Sequence, residues 1–342
     1  MFERNAETRL RTALIAGTAA GILFLGSPAG GKPTVTSFDA PGSTRTETVG
    51  INASGEVAGY FYDGTQSRGF LRETDGTIAT FAPSGSIATY VVGINGDGTT
   101  TGFYLDAGEV SHGFVRTADG TIATFDAGGV ATNTVGISGR AAIAGYYGDS
   151  SGQSHGFVRS ASGRITPFDV SEDGFWGTVP DALNAKGTIA GSWGDRNNIL
   201  HGFVRAADGT ITSFDPPDSL ETSVSAINGS GTIAGTYITT APHGFVRAPD
   251  GTFTKIDAAG FKFTYVSAIN RKGMVTGYCE GSDGIAHGFF YRPNGSVETF
   301  RVPGAGRNPN QGVHPVGVND DDAIAGYYID DDNVQHGFLR TR

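Results

Sequence analysis

From residue 33 onward the chain alternates apolar and polar positions in short runs that end in Gly, Asp, Asn or Ser. Four kinds of run recur in fixed order. The first is a Thr/Phe segment: "TVTSFD" at 34, "TIATF" at 77, "TIATFD" at 121, "ITPFD" at 165, "ITSFD" at 211, "TFTKID" at 252 and "SVETF" at 296. The second ends in Ile-Asn or a variant, as in "VGIN" at 49 and 92, "VGIS" at 135, "SAIN" at 225 and 267 and "VGVN" at 316. The third is "EVAGYF" at 56 with its kin "AIAGYY", "TIAGTY" and "MVTGYC", and the fourth carries His-Gly-Phe. Period-two alternation of β-branched and aromatic residues predicts a strand for each run. Asn-x-x-Gly between the second and third runs, and Asp-Gly between the fourth and the next first, predict tight hairpins.

The Gly-Phe pairs begin at 69, 113, 156, 202, 244, 288 and 337, so the steps are 44, 43, 46, 42, 44 and 49 residues. Four strands with their turns need about 40 to 45 residues, the length of a propeller blade. The expected fold is therefore all-β, a seven-bladed β-propeller of four-stranded antiparallel blades. Its repeats run over about 33–74, 75–118, 119–161, 162–207, 208–249, 250–293 and 294–342. The chain opens on a Thr/Phe strand and stops after a His-Gly-Phe strand. Elsewhere these two are hairpin neighbours, so Thr34 to Phe38 is expected to pair with His336 to Arg340 and close the ring, removing two exposed edges.

Composition changes this picture at the N-terminus. Arg4, Arg9 and Arg11 precede an apolar stretch from Ala13 to Leu25, and Ser27-Pro28-Ala29 places small residues where a signal peptidase reads. Residues 1–29 are expected to be a secretory signal peptide, leaving 30–342 as the repeat domain, secreted to the periplasm or cell exterior as a monomer with no integral membrane segment. The stretch is shorter than the ~20 residues of a bilayer span. With Cys279 as the one cysteine, no intramolecular disulfide forms. A net charge of −10 disfavours nucleic-acid partners.

The pairing of "IN..G..AG.Y" with "HGF" throughout residues 33–342 resembles the bacterial extracellular HAF-type repeats, named for a His-Ala-Phe core. Gly stands here for the Ala, and "T.TFD" replaces the downstream Asp-Leu-Gly of those repeats. The resemblance implies export and a propeller-like architecture, and no particular activity.

His112, His155, His201, His243, His287 and His336 share one repeat position, held by Arg68 in the first copy. Equivalent histidines point to a structural part in which each ties a turn to an Asp or a carbonyl. Arg72, Arg116, Arg159, Arg205, Arg247 and Arg340 form a second set, expected as a solvated rim of weak ion pairs. "GDSSG" at 148–152 has the spelling of a nucleophile elbow but lies between two antiparallel strands. "GSPAGGKP" at 26–33 lacks the Ser/Thr of a phosphate loop. The acidic turns, including "IDDDN" at 329–333, lack calcium-loop spacing, so neither metal nor cofactor is expected.

What varies between copies is the connection from the Thr/Phe run to the Ile-Asn run. "SEDGFWGT" at 171–178, "AGFKFTY" at 259–265 and "PGAGRNPNQGVHP" at 303–315 make Phe175, Trp176, Phe263, Tyr265 and His314 the candidate binding residues. The leading reading is a binding scaffold for a glycan or peptide at these loops. Two alternatives stand beside it: an extracellular lyase or glycoside hydrolase at the channel mouth, and a structural surface or matrix protein.

Overall fold

The structure is a computed structural model in which residues 33–171 and 177–342 are described. The expected leader, 1–29, and the candidates Phe175 and Trp176 lie outside the described residues. Every regular element among those described is a β-strand. The turns follow the expected chemistry: Gly76 and Gly120 take φ of 93° and 91°, a region that glycine enters without strain. The preceding aspartates lock the same turns, Asp75 Oδ1 accepting from Thr77 N–H at 2.8 Å and Asp119 Oδ1 from Thr121 N–H at 2.9 Å.

The unit is a four-stranded antiparallel meander. In the first, residues 45–81, Arg45–Ile51 pairs with Val57–Tyr62, then Ser67–Arg72, then Ile78–Phe81. Equivalent meanders occupy 88–125, 131–168, 177–214, 221–256 and 263–300. The last, 312–341, takes its fourth strand from the other end of the chain: Thr34–Phe38 lies antiparallel to Gln335–Thr341, with Phe38 opposite Gly337. Three meanders are separate sheets, the other four are joined in twos by single parallel contacts, and no sheet closes on itself. Each sequence repeat begins with a strand that in space finishes the preceding meander, so repeat and sheet are one strand out of phase. The first strand of every meander carries a bulge, as between Thr48 and Gly50, which adds local twist.

Adjacent meanders are held together by the Gly-Phe pair. Phe70, Phe114, Phe157, Phe203, Phe245, Phe289 and Phe338 are fully buried. Each meets the outer-strand ring of the preceding meander edge to face where that ring is a Phe: Phe38 with Phe70, Phe81 with Phe114 and Phe125 with Phe157, all at 6.1 Å. The glycine gives that outer ring its seat. A Cβ on Gly113 would fall 2.6 Å from the Phe125 ring, and one on Gly69 2.6 Å from Phe81. The arginines correct the expectation of a solvated rim. Arg116 lies 4.8 Å over Phe81, Arg159 4.7 Å over Phe125 and Arg205 4.8 Å over Phe168, and Arg72 and Arg116 are buried. Each guanidinium thus covers the preceding meander's ring, a cation–π contact worth about 0.5 to 2 kcal/mol.

The first strands carry a second link at their Asn ends. Asn52 Nδ2 donates to Asn95 O (3.1 Å), Asn95 to Ser138 O (3.5 Å), Asn184 to Asn228 O (3.1 Å), Asn228 to Asn270 O (3.1 Å), Asn270 to Asn319 O (2.9 Å) and Asn319 to Asn52 O (3.3 Å). Ser138 interrupts the series, because its short hydroxyl still accepts from Ala142 N–H at 3.1 Å but has no amide to pass on. Replacing Ser138 by Asn is expected to raise the unfolding free energy by about 0.5 to 1.5 kcal/mol, and Asn228→Ala to lower it by about 1 to 3 kcal/mol, in urea titrations. A neutral Ser138→Asn would show that the gap is already satisfied.

Candidate functional site

The first strands of successive meanders lie side by side, that of the last beside that of the first. They surround two ends of different character. At the Asn end is a cavity of about 290 Å³ lined by Asn52, Asn95, Ser138, Asn184 and Asn228 over Ile94, Ile137, Leu183, Ile227 and Ile269. Its amides are spent on the ladder, and repeated parts build nearly all of it.

The opposite end is chemically uneven. The third residue of each first strand faces a partner on the second strand: Glu47 with Tyr60, Tyr90 with Phe103, Asn133 with Tyr146, Val179 with Ser192, Ser223 with Thr236, Tyr265 with Tyr278 and His314 with Tyr327. These build a run of ring contacts that crosses from meander to meander. Tyr265 stacks on Tyr278 at 4.7 Å, Tyr278 meets His314 edge-on at 4.7 Å, and His314 stacks on Tyr327 at 4.9 Å. Beyond the seam between the chain's ends, Tyr60 meets Tyr90 at 5.2 Å and Tyr90 stacks on Phe103 at 5.0 Å. The seam itself is polar: Arg45 donates to Gln335 Oε1 and Glu47 Oε2, each at 2.8 Å, and Gln335 Nε2 donates to Glu47 Oε2 at 3.2 Å. The 177–214 and 221–256 meanders supply only small side chains to this layer.

Several groups in and beside the run have displaced proton affinities. His314 is half-buried as a residue, yet its Nε2 is sealed from solvent and has no hydrogen-bond partner. Burial alone lowers its pKa to about 4, which keeps the ring neutral. Glu280 ends the strand that carries Tyr278, and burial, then Asp283, raises its pKa to about 7. Burial, followed by the Glu280 charge, pushes the Tyr265 and Tyr278 hydroxyls upward. Glu280 makes no ion pair or hydrogen bond through its carboxyl among the described residues.

The sequence candidates fall in several places. Phe263, Tyr265 and His314 are not on loops: they belong to the strands Phe263–Ile269 and Gly312–Val318 and are half-buried. For Phe263 and Tyr265 the Thr between them explains this, since Ala258 N–H donates to Thr264 Oγ1 at 3.2 Å and ends the loop earlier. The structure brings Tyr265 and His314 together through Tyr278. Sequence reasoning missed Tyr278, Glu280, Tyr327, Tyr60 and Tyr90, which stood inside segments that spelled the fold. One signal was present: the Glu280 column otherwise holds Tyr62, Leu105, Gly148, Gly194, Ile238 and Ile329.

Five of the repeated histidines bond the Asp at the end of the neighbouring outer strand. The Nδ1 contacts are His112 with Asp126 (2.7 Å), His155 with Asp169 (3.0 Å), His201 with Asp215 (2.7 Å), His243 with Asp257 (2.8 Å) and His336 with Asp39 (3.0 Å). Against the desolvation of partial burial, the flanking carboxylates hold His112, His155 and His336 above their ordinary values. His287 departs from the set. Arg301 stands where the others have Asp, its Nη1 lying 3.3 Å from His287 Nε2, and burial followed by that charge lowers the imidazole's pKa. Cys279 beside it is fully buried, and burial raises its thiol pKa, so it is no nucleophile. In "GDSSG", Ser151 donates to Asp149 Oδ1 at 2.6 Å within a turn. Asp330 is likewise spent on Asp332 N–H, Val334 N–H and His336, and no cluster fit for a metal occurs among the described residues.

The sequence matches no protein-family profile and no curated protein. Among solved structures, the chain is similar to a streptogramin B lyase (TM-score 0.58, 10% identity, covering 91% of this chain and 98% of that one). It is also similar to a catalytically inactive virginiamycin B lyase from Staphylococcus aureus with quinupristin (TM-score 0.59, 12% identity, 91% and 100%). A puromycin hydrolase complexed with PGG shares the fold over 55% of its own length (TM-score 0.56, 11% identity, 87% of this chain). The common element is β-propeller architecture, and at these identities the likeness carries the fold alone. No helix among the described residues is long and apolar enough to cross a membrane.

The Glu280 carboxyl makes stability depend on pH. The folded chain holds its proton up to pH about 7, while the unfolded chain releases it near the ordinary 4.5. The unfolded state therefore binds fewer protons between these values, and stability falls as pH rises through that window. Glu280→Gln is expected to stabilise the protein at pH 8 by on the order of 1 to 2 kcal/mol, discounted for partial exposure, and to leave it unchanged at pH 4. Equal effects at both pH values in thermal melts would sink this account.

Proposed function

We propose that the chain is an exported seven-bladed β-propeller of the HAF type that binds a ligand between its sixth and seventh blades, at the mouth opposite the asparagines. The closed ring is supported by the pairing of Thr34–Phe38 with Gln335–Thr341 and by the Asn319-to-Asn52 bond, which joins the last meander to the first. The repeated His–Asp ties belong to that scaffold. The observation that carries the binding reading is the continuous run of half-buried rings, Tyr265, Tyr278, His314 and Tyr327, in a layer to which two other meanders supply only small side chains.

An enzyme at the same end is the second reading. It is favoured by Glu280 and His314, each within or beside the run of rings, whose pKa values are displaced in opposite directions by burial. Screening the mature chain by calorimetry against glycans, short peptides and small amines, with product analysis on every binder, separates the two. Tyr265→Ala is expected to weaken binding at least ~tenfold while shifting the melting temperature little. Wild-type affinity in Tyr265→Ala, with lowered stability, would make this ring core packing and remove the binding reading; turnover abolished by His314→Gln would favour the enzyme. Deleting residues 33–40 tests the ring, because it opens an edge at Gln335–Thr341 and is expected to produce oligomers or a marked loss of stability.

A further inference from the structure

The residue that enters a meander does its structural work through the backbone. Thr44, Ile87, Val130, Leu220 and Lys262 each donate their N–H to the carbonyl that ends the second strand of the same meander, at 2.7 to 2.9 Å. Any residue but proline makes this bond, so the side chain here is free to vary. It is polar in the first and sixth meanders and apolar in the second, third and fifth, where Ile87 is 42% exposed, Val130 51% and Leu220 63%. Leu220 has apolar company. Its own N–H partner is the carbonyl of Ile238, which is also exposed, and Ile199 stands at the same end, directly before the strand Leu200–Arg205 that lies beside Glu221–Ile227. The second and third meanders repeat the arrangement: Val110 precedes Ser111–Arg116, which is tied to the strand that Val130 precedes by Ser111 Oγ donating to Thr132 O at 2.8 Å. Every exposed large apolar side chain among the described residues lies at this end, opposite the asparagines.

One exposed apolar side chain is ordinary, but a set confined to one end of a repeat scaffold marks a contact surface. The charge around it selects what covers it. The connections at this end between residues 82 and 220 carry ten acids and one cation, Arg196. Their aspartates are spent on turn N–H groups, as Asp106 and Asp195 are, or on histidines, as Asp126 and Asp215 are. Asp218 and Glu221, on either side of Leu220, and Glu109, next to Val110, are exposed and form no ion pair or side-chain hydrogen bond among the described residues. Glu221 lies opposite Ile238 in the paired strand, so acid and apolar side chains share one patch. A second copy of this chain would set acid against acid there, and a nucleic acid or an anionic lipid surface would be repelled in the same way. We propose that the Leu220 patch docks a basic polypeptide segment whose lysines or arginines are interspersed with apolar side chains. Its apolar side chains cover Ile199, Leu220 and Ile238, and its cations reach Asp218 and Glu221. Apolar contact supplies the affinity, and the charges supply orientation and the rate of encounter. The Val110–Val130 patch, with Glu109, offers the same chemistry a second time. Both stand on other meanders than Tyr265, Tyr278 and His314, so the inference goes beyond the ligand reading above and does not rest on it.

The test titrates the mature chain by calorimetry at low salt with an amphipathic lysine–leucine peptide, with a glutamate–leucine peptide of the same pattern, and with a lysine–serine peptide that keeps the charge and lacks the apolar face. The lysine–leucine peptide is expected to bind at least ~tenfold tighter than either counterpart. Leu220→Ser should weaken it at least ~fivefold without lowering the melting temperature, because the side chain is exposed in the free chain. Asp218→Asn with Glu221→Gln should weaken it at least ~fivefold as well. Asp97→Asn with Asp321→Asn, which removes the same charge from exposed positions at the asparagine end, should change it less than ~twofold. Equal losses in the two charge pairs, or equal affinity for the lysine–leucine and lysine–serine peptides, mean attraction by net charge alone and overturn the patch. Self-association of the chain that Leu220→Ser abolishes assigns the patch to a second copy and overturns the basic partner. Binding lost in Tyr265→Ala and kept in Leu220→Ser puts the peptide on the ring layer, which overturns this inference and leaves the ligand reading standing. Binding lost in Leu220→Ser and kept in Tyr265→Ala supports the patch whatever the fate of that reading.

Discussion

The structure depends on one contact written over and over: an outer-strand phenylalanine laid on the bare backbone of a His-Gly-Phe glycine and covered from the next meander by a phenylalanine edge and an arginine. Phe81 on Gly69, beneath Phe114 and Arg116, is representative. Any Cβ at the glycine removes the seat, and without the seated ring the neighbouring arginine has nothing to cover. The one substitution in the scheme shows that this is physical and not a habit of the sequence. In the fifth meander Ile256 replaces the phenylalanine, and in the sixth Tyr291 replaces the arginine, both buried in one apolar cluster. An aliphatic side chain offers a cation no negative face, so the cation is exchanged for an apolar partner. Burial also explains why Arg72, Arg159 and Arg247 have lowered pKa values: they have left water for a ring and are not rim charges.

A scaffold so repetitive makes its exceptions informative. The second strand position is Thr in six meanders, where its hydroxyl commonly holds the incoming loop, as Thr46 does for Ala40 N–H. The third is Glu47, Tyr90, Asn133, Val179, Ser223, Tyr265 and His314, different in almost every copy. Folding needs no such diversity at a position flanked by an invariant pattern. The layer is aromatic in some meanders and small in others, so a set of near-equal parts acquires a front. The sixth meander breaks its own rules twice more, with Cys279 where others stack a Tyr, Trp or Phe, and Arg301 where five others place Asp and the first has Ala82. Phe261 comes in from the loop to within 5.0 Å of His287, filling the space the missing aromatic leaves.

Much of this was legible in the sequence because it is local. Asp-Gly and Asn-x-x-Gly turns, strand alternation and the unpaired strands at the two ends are properties of neighbouring residues, and Thr34–Phe38 finds Gln335–Thr341 as complementarity requires. The His–Asp ties are nearly local, since four of them join residues 14 apart on adjacent strands. The arginine contacts were not legible, because they cross between meanders and an exposed-looking "VR" before a turn spells a rim. The site was half legible. Tyr265 and His314 stood out as bulky residues near variable loops, yet Tyr278 and Glu280 sit within "TGYCE", which reads as one more fold segment. Their significance arises only when one meander is laid against the next.

Charge gives the last step. Many of the aspartates behind the net charge of −10 are turn devices: Asp63, Asp106, Asp149, Asp195 and Asp330 each accept backbone N–H bonds, which lower their pKa values and spend their lone pairs on the fold. A carboxylate used in this way contributes to stability above the acid range and takes little part in recognition. Glu280 is the opposite case. It accepts no turn N–H, acts on the Tyr265 and Tyr278 hydroxyls, and has its pKa raised to about 7 by burial and then Asp283, so its charge costs the fold stability. Burial without an N–H bond to the carboxyl therefore sets Glu280 apart from the turn aspartates, whose charges the fold stabilises.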